Sequence, residues 1–163
     1  MRHILSILIQ NESGALSRVA SMFASRGFNI ESLSVAPTDD ETVSRLTLVT
    51  IGTEDMIGQV SKQLAKLIDV VAVADRTSTD HIARELGLLK FAVPPNAAGA
   101  FRSLVENYGA EVLDDHLSHF TIEVTGTEKQ VDALLGALPE GVRLLSIVRS
   151  GPLVISRGPQ ALA

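Results

Sequence analysis

Ile4-Leu5-Ser6-Ile7-Leu8-Ile9-Gln10-Asn11-Glu12-Ser13-Gly14-Ala15-Leu16 contains a change of period that decides the fold. From Ile4 to Ile9 the residues are mostly large, branched and apolar, which predicts a strand. Beyond the turn, Leu16, Val19, Ala20 and Phe23 recur at helical spacing, so a helix starts there. Ser13 or Asn11 offers that helix a cap, and Gly14 lets a ligand approach the backbone closely. A strand that turns through glycine into a helix leaves free N–H groups aimed at one spot. Such a spot attracts a carboxylate or a phosphate. The plainer alternative is a capped turn that binds nothing.

Outward from this turn, the helix ends at Arg26-Gly27, with glycine just past its C-terminus. In Phe28-Asn29-Ile30-Glu31-Ser32-Leu33-Ser34-Val35-Ala36 the apolar positions switch from even to odd, which predicts a strand with a bulge near Glu31-Ser32. After the polar loop Pro37-Thr38-Asp39-Asp40-Glu41, Val43 to Ile51 is another strand. Thr53 caps a second helix with the stripe Ile57, Val60, Leu64 and Leu67. Asp69 to Ala74 closes a βαββαβ unit.

The same order returns. Strand-like Leu86 to Val93 is stopped by Pro94-Pro95-Asn96, with Asn96 as a helix cap. Ala97, Phe101, Leu104 and Tyr108 then share one helix face, ended by Gly109. Ala110 to Asp115 and His119 to Thr125 read as a tight hairpin. Thr127-Glu128-Lys129-Gln130 is a capping box, followed by the stripe Val131, Leu134, Leu135, Leu138 and a stop at Pro139. Val142 to Val148 is the last expected strand. Gly52-Thr53-Glu54 recurs as Gly126-Thr127-Glu128, and at the same spacing Val71 and Val73 meet Leu145 and Ile147. The expected fold class is α+β, two ferredoxin-like βαββαβ units, each an antiparallel sheet with helices on one face. The expected division is 1–76, a linker at 77–81, and 82–163. The first strand is apolar on both sides, whereas helices cover only one. This predicts that its second face or an edge is buried by another chain.

The 163 residues carry a net charge of −5 and no basic run, which argues against nucleic-acid or anionic-membrane partners. Aromatic residues make up only 4% against 45% hydrophobic residues, so the core is aliphatic. Without cysteine there is no disulfide, thiolate nucleophile or Cys-based zinc site. No stretch approaches a membrane span, and a cytoplasmic location is expected. Asp114-Asp115-His116 with His119 is the one tempting metal cluster, but a hairpin tip is polar for turn reasons alone, and no metal site is expected. Arg149 and Arg157 read as surface or interface charges. No phosphate loop, H-E-x-x-H or G-x-S-x-G occurs, and no catalytic residue is assigned.

Met1 to Asp75 resembles the ACT domain of the regulatory small subunit of acetohydroxyacid (acetolactate) synthase. The resemblance rests on Asn11-Glu12-Ser13-Gly14-Ala15-Leu16-Ser17-Arg18-Val19, Arg26-Gly27-Phe28-Asn29-Ile30-Glu31-Ser32-Leu33 and Val35-Ala36-Pro37-Thr38-Asp39-Asp40. Lys62-Gln63-Leu64, Lys66-Leu67 and Asp69-Val70 extend it, as do Arg149-Ser150-Gly151 and Ser156-Arg157-Gly158. It implies a subunit with no active site of its own. Such a subunit activates a catalytic large subunit that carries thiamine diphosphate, magnesium and FAD, none of which this chain would hold. It further implies a homodimer through the ACT domains and feedback inhibition by valine. Valine would lie between two chains, held by Asn11, Gly14, Ala15 and Leu16 of one and by Asn29 and Ile30 of the other. The alternative reading is an amino-acid-responsive ACT regulator of another enzyme or of transcription; a stand-alone enzyme is disfavoured because no catalytic constellation is present.

Overall fold

The computed structural model describes residues 1–116 and 118–159. By contacts the chain divides into two units, Met1–Ile82 together with the tail from Leu153, and Ala83–Pro152. Within the block expected at 82–163, Ala83–Pro152 forms the second unit and the tail from Leu153 to residue 159 clusters by contacts with the first; 160–163 lie outside the described residues.

The first unit comprises β1 (Arg2–Gln10), α1 (Ala15–Ala24), β2 (Ile30–Pro37), β3 (Val43–Ile51), α2 (Glu54–Leu64) and β4 (Val70–Asp75). Its antiparallel sheet has the order β2-β3-β1-β4. Leu5, Ile7 and Ile9 of β1 and Leu46 and Leu48 of β3 alternate onto the face under the helices. There they meet Val19 and Phe23 of α1 and Ile57, Val60 and Leu64 of α2. The expected bulge is present: the β2–β3 register slips between Ile30 and Ser32. It places Leu33 opposite Leu48 and Val35 opposite Leu46, on the core side of an edge strand. Both remain open to solvent, at 37% and 42% exposure.

The second face of β1 departs from expectation. Ser6 and Leu8, with Thr47 and Val49 beside them on β3, are buried within the single chain. Beyond the expected last strand lies a short β9 (Leu153–Ser156), whose Val154 is buried and shares a cavity wall with Ser34 and Thr47 on that face. On this face Ser6 and Leu8 are thus already buried in the single chain.

The second unit comprises β5 (His81–Ala92), a 3-10 turn Pro95–Ala97, α3 (Ala98–Asn107), β6 (Glu111–Asp114), β7 (His119–Gly126), α4 (Glu128–Gly136) and β8 (Arg143–Arg149). Its sheet order is β6-β7-β5-β8, with β9 pairing β5 off this path. The unit repeats the first, which confirms the duplicated architecture. Phe101 of α3 anchors its core between Phe91 and Phe120, with ring centroids 5.1 and 5.3 Å away. Such tilted and edge contacts contribute roughly 0.5–1.5 kcal/mol each beyond buried area. The capping box at Thr127 and Gln130 forms as predicted. Asn96 does not cap α3: it sits inside the 3-10 turn, and Ala97 takes the cap position without a side-chain bond.

Candidate effector site at the start of helix α1

β1 delivers the chain into the turn, where Asn11 is held twice by the β2–β3 hairpin. Its N–H donates to the Thr42 carbonyl at 2.7 Å, and its side-chain Nδ2 to the Glu41 carbonyl at 2.9 Å. Asn11 is thus drawn away from the helix, and the expected cap by Asn11 or Ser13 does not form. Gly14 occupies the cap position at φ +91°, a conformation that glycine adopts without the Cβ penalty other residues incur. The Ala15 N–H is satisfied by the Glu12 carbonyl at 3.2 Å, and the Arg18 N–H by Gly14 at 3.0 Å. Among the described residues, the N–H groups of Leu16 and Ser17 have no acceptor. Two free amides at a helix start form a local positive pole.

Arg18, one turn into α1, adds a charge that sequence reasoning left unassigned. A Cβ built on Gly14 would lie 2.9 Å from the Arg18 Nη1, so the guanidinium stands directly beside the glycine. Arg18 is fixed from behind by Asp69, which precedes β4: Nη2 donates to Oδ1 at 2.8 Å and Nε to Oδ2. Hydrogen bonding to Arg18 holds the Asp69 carboxyl below its ordinary range and raises the Arg18 pKa in return. Ala15 is buried beneath the turn and Leu16 is half-buried against the core.

Asn29 and Ile30 lie elsewhere. Ile30 pairs with Thr50, which pairs with His3, whereas Gln10 pairs with Val43. At about 3.4 Å per residue, the Asn29 end of the sheet is roughly 24 Å from the Asn11 end. The Asn29 carbonyl accepts from Thr50 Oγ1 at 2.6 Å, and the residue itself is exposed. The structure thus brings Asn11, Gly14, Ala15 and Leu16 together and places Asn29 and Ile30 apart from them within one chain.

Residues 5–72 match the AHAS small subunit-like ACT domain, and residues 84–158 match the family described as the small subunit of acetolactate synthase. The acetolactate synthase small subunit of Haemophilus influenzae is 45% identical over 158 residues, 97% of each chain. The chain belongs to the acetolactate synthase small-subunit family. The isozyme 3 small subunit of Escherichia coli is 40% identical over 162 residues, 99% of each chain. The crystal structure of the acetolactate synthase small subunit from Thermotoga maritima matches with a TM-score of 0.86 at 31% identity, covering 98% of this chain and 99% of that one.

Other titratable residues of this small-subunit chain have structural roles. Arg149, expected to be a surface or interface charge, is partly exposed and bridges two carboxylates of its own chain. It donates to Glu85, which is only 3% exposed, and to Asp132 of α4 at 2.7 Å. Arg157 does lie at the surface, paired with Asp80. Asp115, from the suspected cluster, pairs with Arg102 at 2.6 Å. Leu117 of that hairpin is outside the described residues. Among the described residues no three acidic or histidine side chains converge as a metal site, and no helix is long and apolar enough to cross a membrane.

Proposed function

We propose that this chain is the regulatory subunit of a cytoplasmic acetolactate synthase in branched-chain amino-acid biosynthesis. It activates a large subunit that carries thiamine diphosphate, magnesium and FAD and joins two pyruvates into 2-acetolactate with loss of CO2. It also makes that subunit sensitive to valine. The observation that carries the effector reading is the uncapped start of α1: two free amides, the Gly14 opening and the Arg18 guanidinium suit the carboxylate of an amino acid. The Asn11 side-chain oxygen suits its ammonium without burying a second charge. Small apolar pockets discriminate by roughly 1–3 kcal/mol per methylene, so leucine and isoleucine bind more weakly than valine.

The separation of Asn29 and Ile30 from this turn supports a site completed by a second chain. The outer edge of β2 is free, and Leu33 and Val35 are exposed beside it on the core side. Antiparallel pairing of two such edges carries the Asn29 end of one chain to the Pro37 end of the other, near Asn11. The 1–76 block is then the dimerising ACT domain, and the second unit is left to serve the catalytic partner. Inhibition further requires valine to prefer one arrangement of the dimer, because equal affinity for two states shifts nothing.

The test is Gly14→Asp. At φ +91° any side chain is strained, and the new Cβ also meets the far end of Arg18, which can move; the carboxylate takes the place intended for that of valine. Activation of the large subunit is expected to survive and valine inhibition to disappear. Unchanged valine sensitivity in an activating Gly14→Asp subunit refutes the site.

A further inference from the structure

A cavity of about 330 Å³ opens on the face of the first unit's sheet that carries no helices. Its floor is Ser34 of β2 with Arg45 and Thr47 of β3; Pro37 and the tail's Val154 form apolar walls, and Asp39 of the hairpin stands at the rim. All of these belong to the first unit. The register places Ser34, Thr47 and Ser6 in one cross-strand row of hydroxyls, with Ala36, Arg45 and Leu8 in the next row. Thr47 is 4% exposed, yet its hydroxyl, like that of Ser34, has no hydrogen-bond partner among the described residues. The Ser6 hydroxyl is fully buried and unpartnered. Buried hydroxyls are normally hydrogen-bonded; Ser6 is the fully buried exception in this row, and the unpartnered hydroxyls of Thr47 and half-buried Ser34 line the cavity.

Arg45 adds charge to this row. Arg2, Arg18, Arg102, Arg149 and Arg157 each find a carboxylate. Half-buried Arg45, like Arg26, Arg76, Arg84 and Arg143, has no carboxylate partner among the described residues, and of these five it is the one that lines the cavity. A guanidinium beside convergent hydroxyl donors is a receptor for a carboxylate, and the walls next to it are apolar.

We propose that this cavity binds a small aliphatic carboxylate, at a site separate from the start of α1. The carboxylate lies on Arg45 with Thr47 and Ser34 donating, and the aliphatic group rests on Pro37 and Val154. Asp39 at the rim disfavours a doubly charged phosphate and gives an ammonium a partner if the ligand is an amino acid. An aliphatic amino acid and a 2-oxo acid share the recognised group, and the experiment separates them.

The full chain carrying Gly14→Asp is titrated with L-valine, 2-oxoisovalerate and inorganic phosphate while the backbone amide resonances of Ser34 and Thr47 are followed. At least one of the two organic acids is expected to shift both resonances saturably. Adding Arg45→Gln is expected to weaken that binding about tenfold or more, consistent with loss of a charge-assisted bond, with resonances elsewhere unchanged. Tighter binding of L-valine identifies the amino acid as the ligand class; tighter binding of 2-oxoisovalerate identifies the 2-oxo acid. Three results overturn the proposal: no saturable shift with either acid, phosphate binding as well as they do, or affinity unchanged by Arg45→Gln. The readout needs no large subunit, so it stands or falls independently of the valine-inhibition assay.

Discussion

Asp69 shows how one residue links stability to the site. Its carboxylate is buried, faces Arg18 through two hydrogen bonds, and has its pKa lowered chiefly by that bonding, against the opposing cost of burial. A group whose pKa is lower in the folded state adds stability that is fully present above the unfolded pKa. That stability is lost as pH falls through the folded value. Asp69→Asn is therefore expected to be less stable than the parent at pH 7, with the gap closing below the ordinary carboxylate range. Urea melts at pH 7 and at pH values below about 4 check this; a gap that stays constant with pH removes the ion pair from the account. The pairing of Arg18 with Asp69 spans 51 positions and that of Arg149 with Glu85 spans 64. Nothing local in the sequence announces either. Both charges were legible as charges, but their roles were not.

At the scale of elements, α2 and α4 begin with side-chain caps whereas α1 and α3 do not, and of the two uncapped starts only that of α1 stands beside a guanidinium, that of Arg18. Thr53 accepts the Met56 N–H at 3.4 Å at the start of α2, and Thr127 and Gln130 cap α4 reciprocally, with Gln130 Oε1 accepting the Thr127 N–H at 2.8 Å. α1 has no side-chain cap. Thr127→Ala is expected to cost about 1 kcal/mol in chemical denaturation, as cap removal does elsewhere. The variant is expected to leave valine sensitivity in place, because α4 is a scaffold helix in the second unit. The caps at Thr53 and Thr127 could be read from sequence because capping is a contact within three residues. The failure at Asn11 could not, because a hairpin thirty positions away claims its side chain. The β2 bulge was legible because a one-residue slip exchanges the faces, and the apolar pattern records that exchange.

For the molecule as a whole, the tail is the departure from a simple tandem repeat. After passing through the second unit, the chain returns β9 to the first, where Val154 is buried and Arg157 pairs with Asp80. Val154→Asp is expected to cost about 2 kcal/mol or more, combining lost burial with an unpaired buried carboxylate. Hydrogen exchange should locate the loss at the amides around Ser6 and Thr47, far away in sequence. Unchanged protection there, with the variant folded, refutes a covering role for the tail.

By itself the sequence determined the element order, the duplicated βαββαβ unit, the bulge, two of the helix caps and the residues on which the family resemblance rests. These are set by period, propensity and contacts a few residues long, which each segment carries within itself. The tertiary structure alone decided that Ser6 and Leu8 on the first strand's second face are buried within the chain and that Arg149 bridges Glu85 and Asp132. It alone also decided that α1 starts uncapped beside Arg18, with Asn29 at the far end of the sheet. Each of these depends on which distant groups meet once loops have closed and strands have taken their register, and no local pattern encodes that.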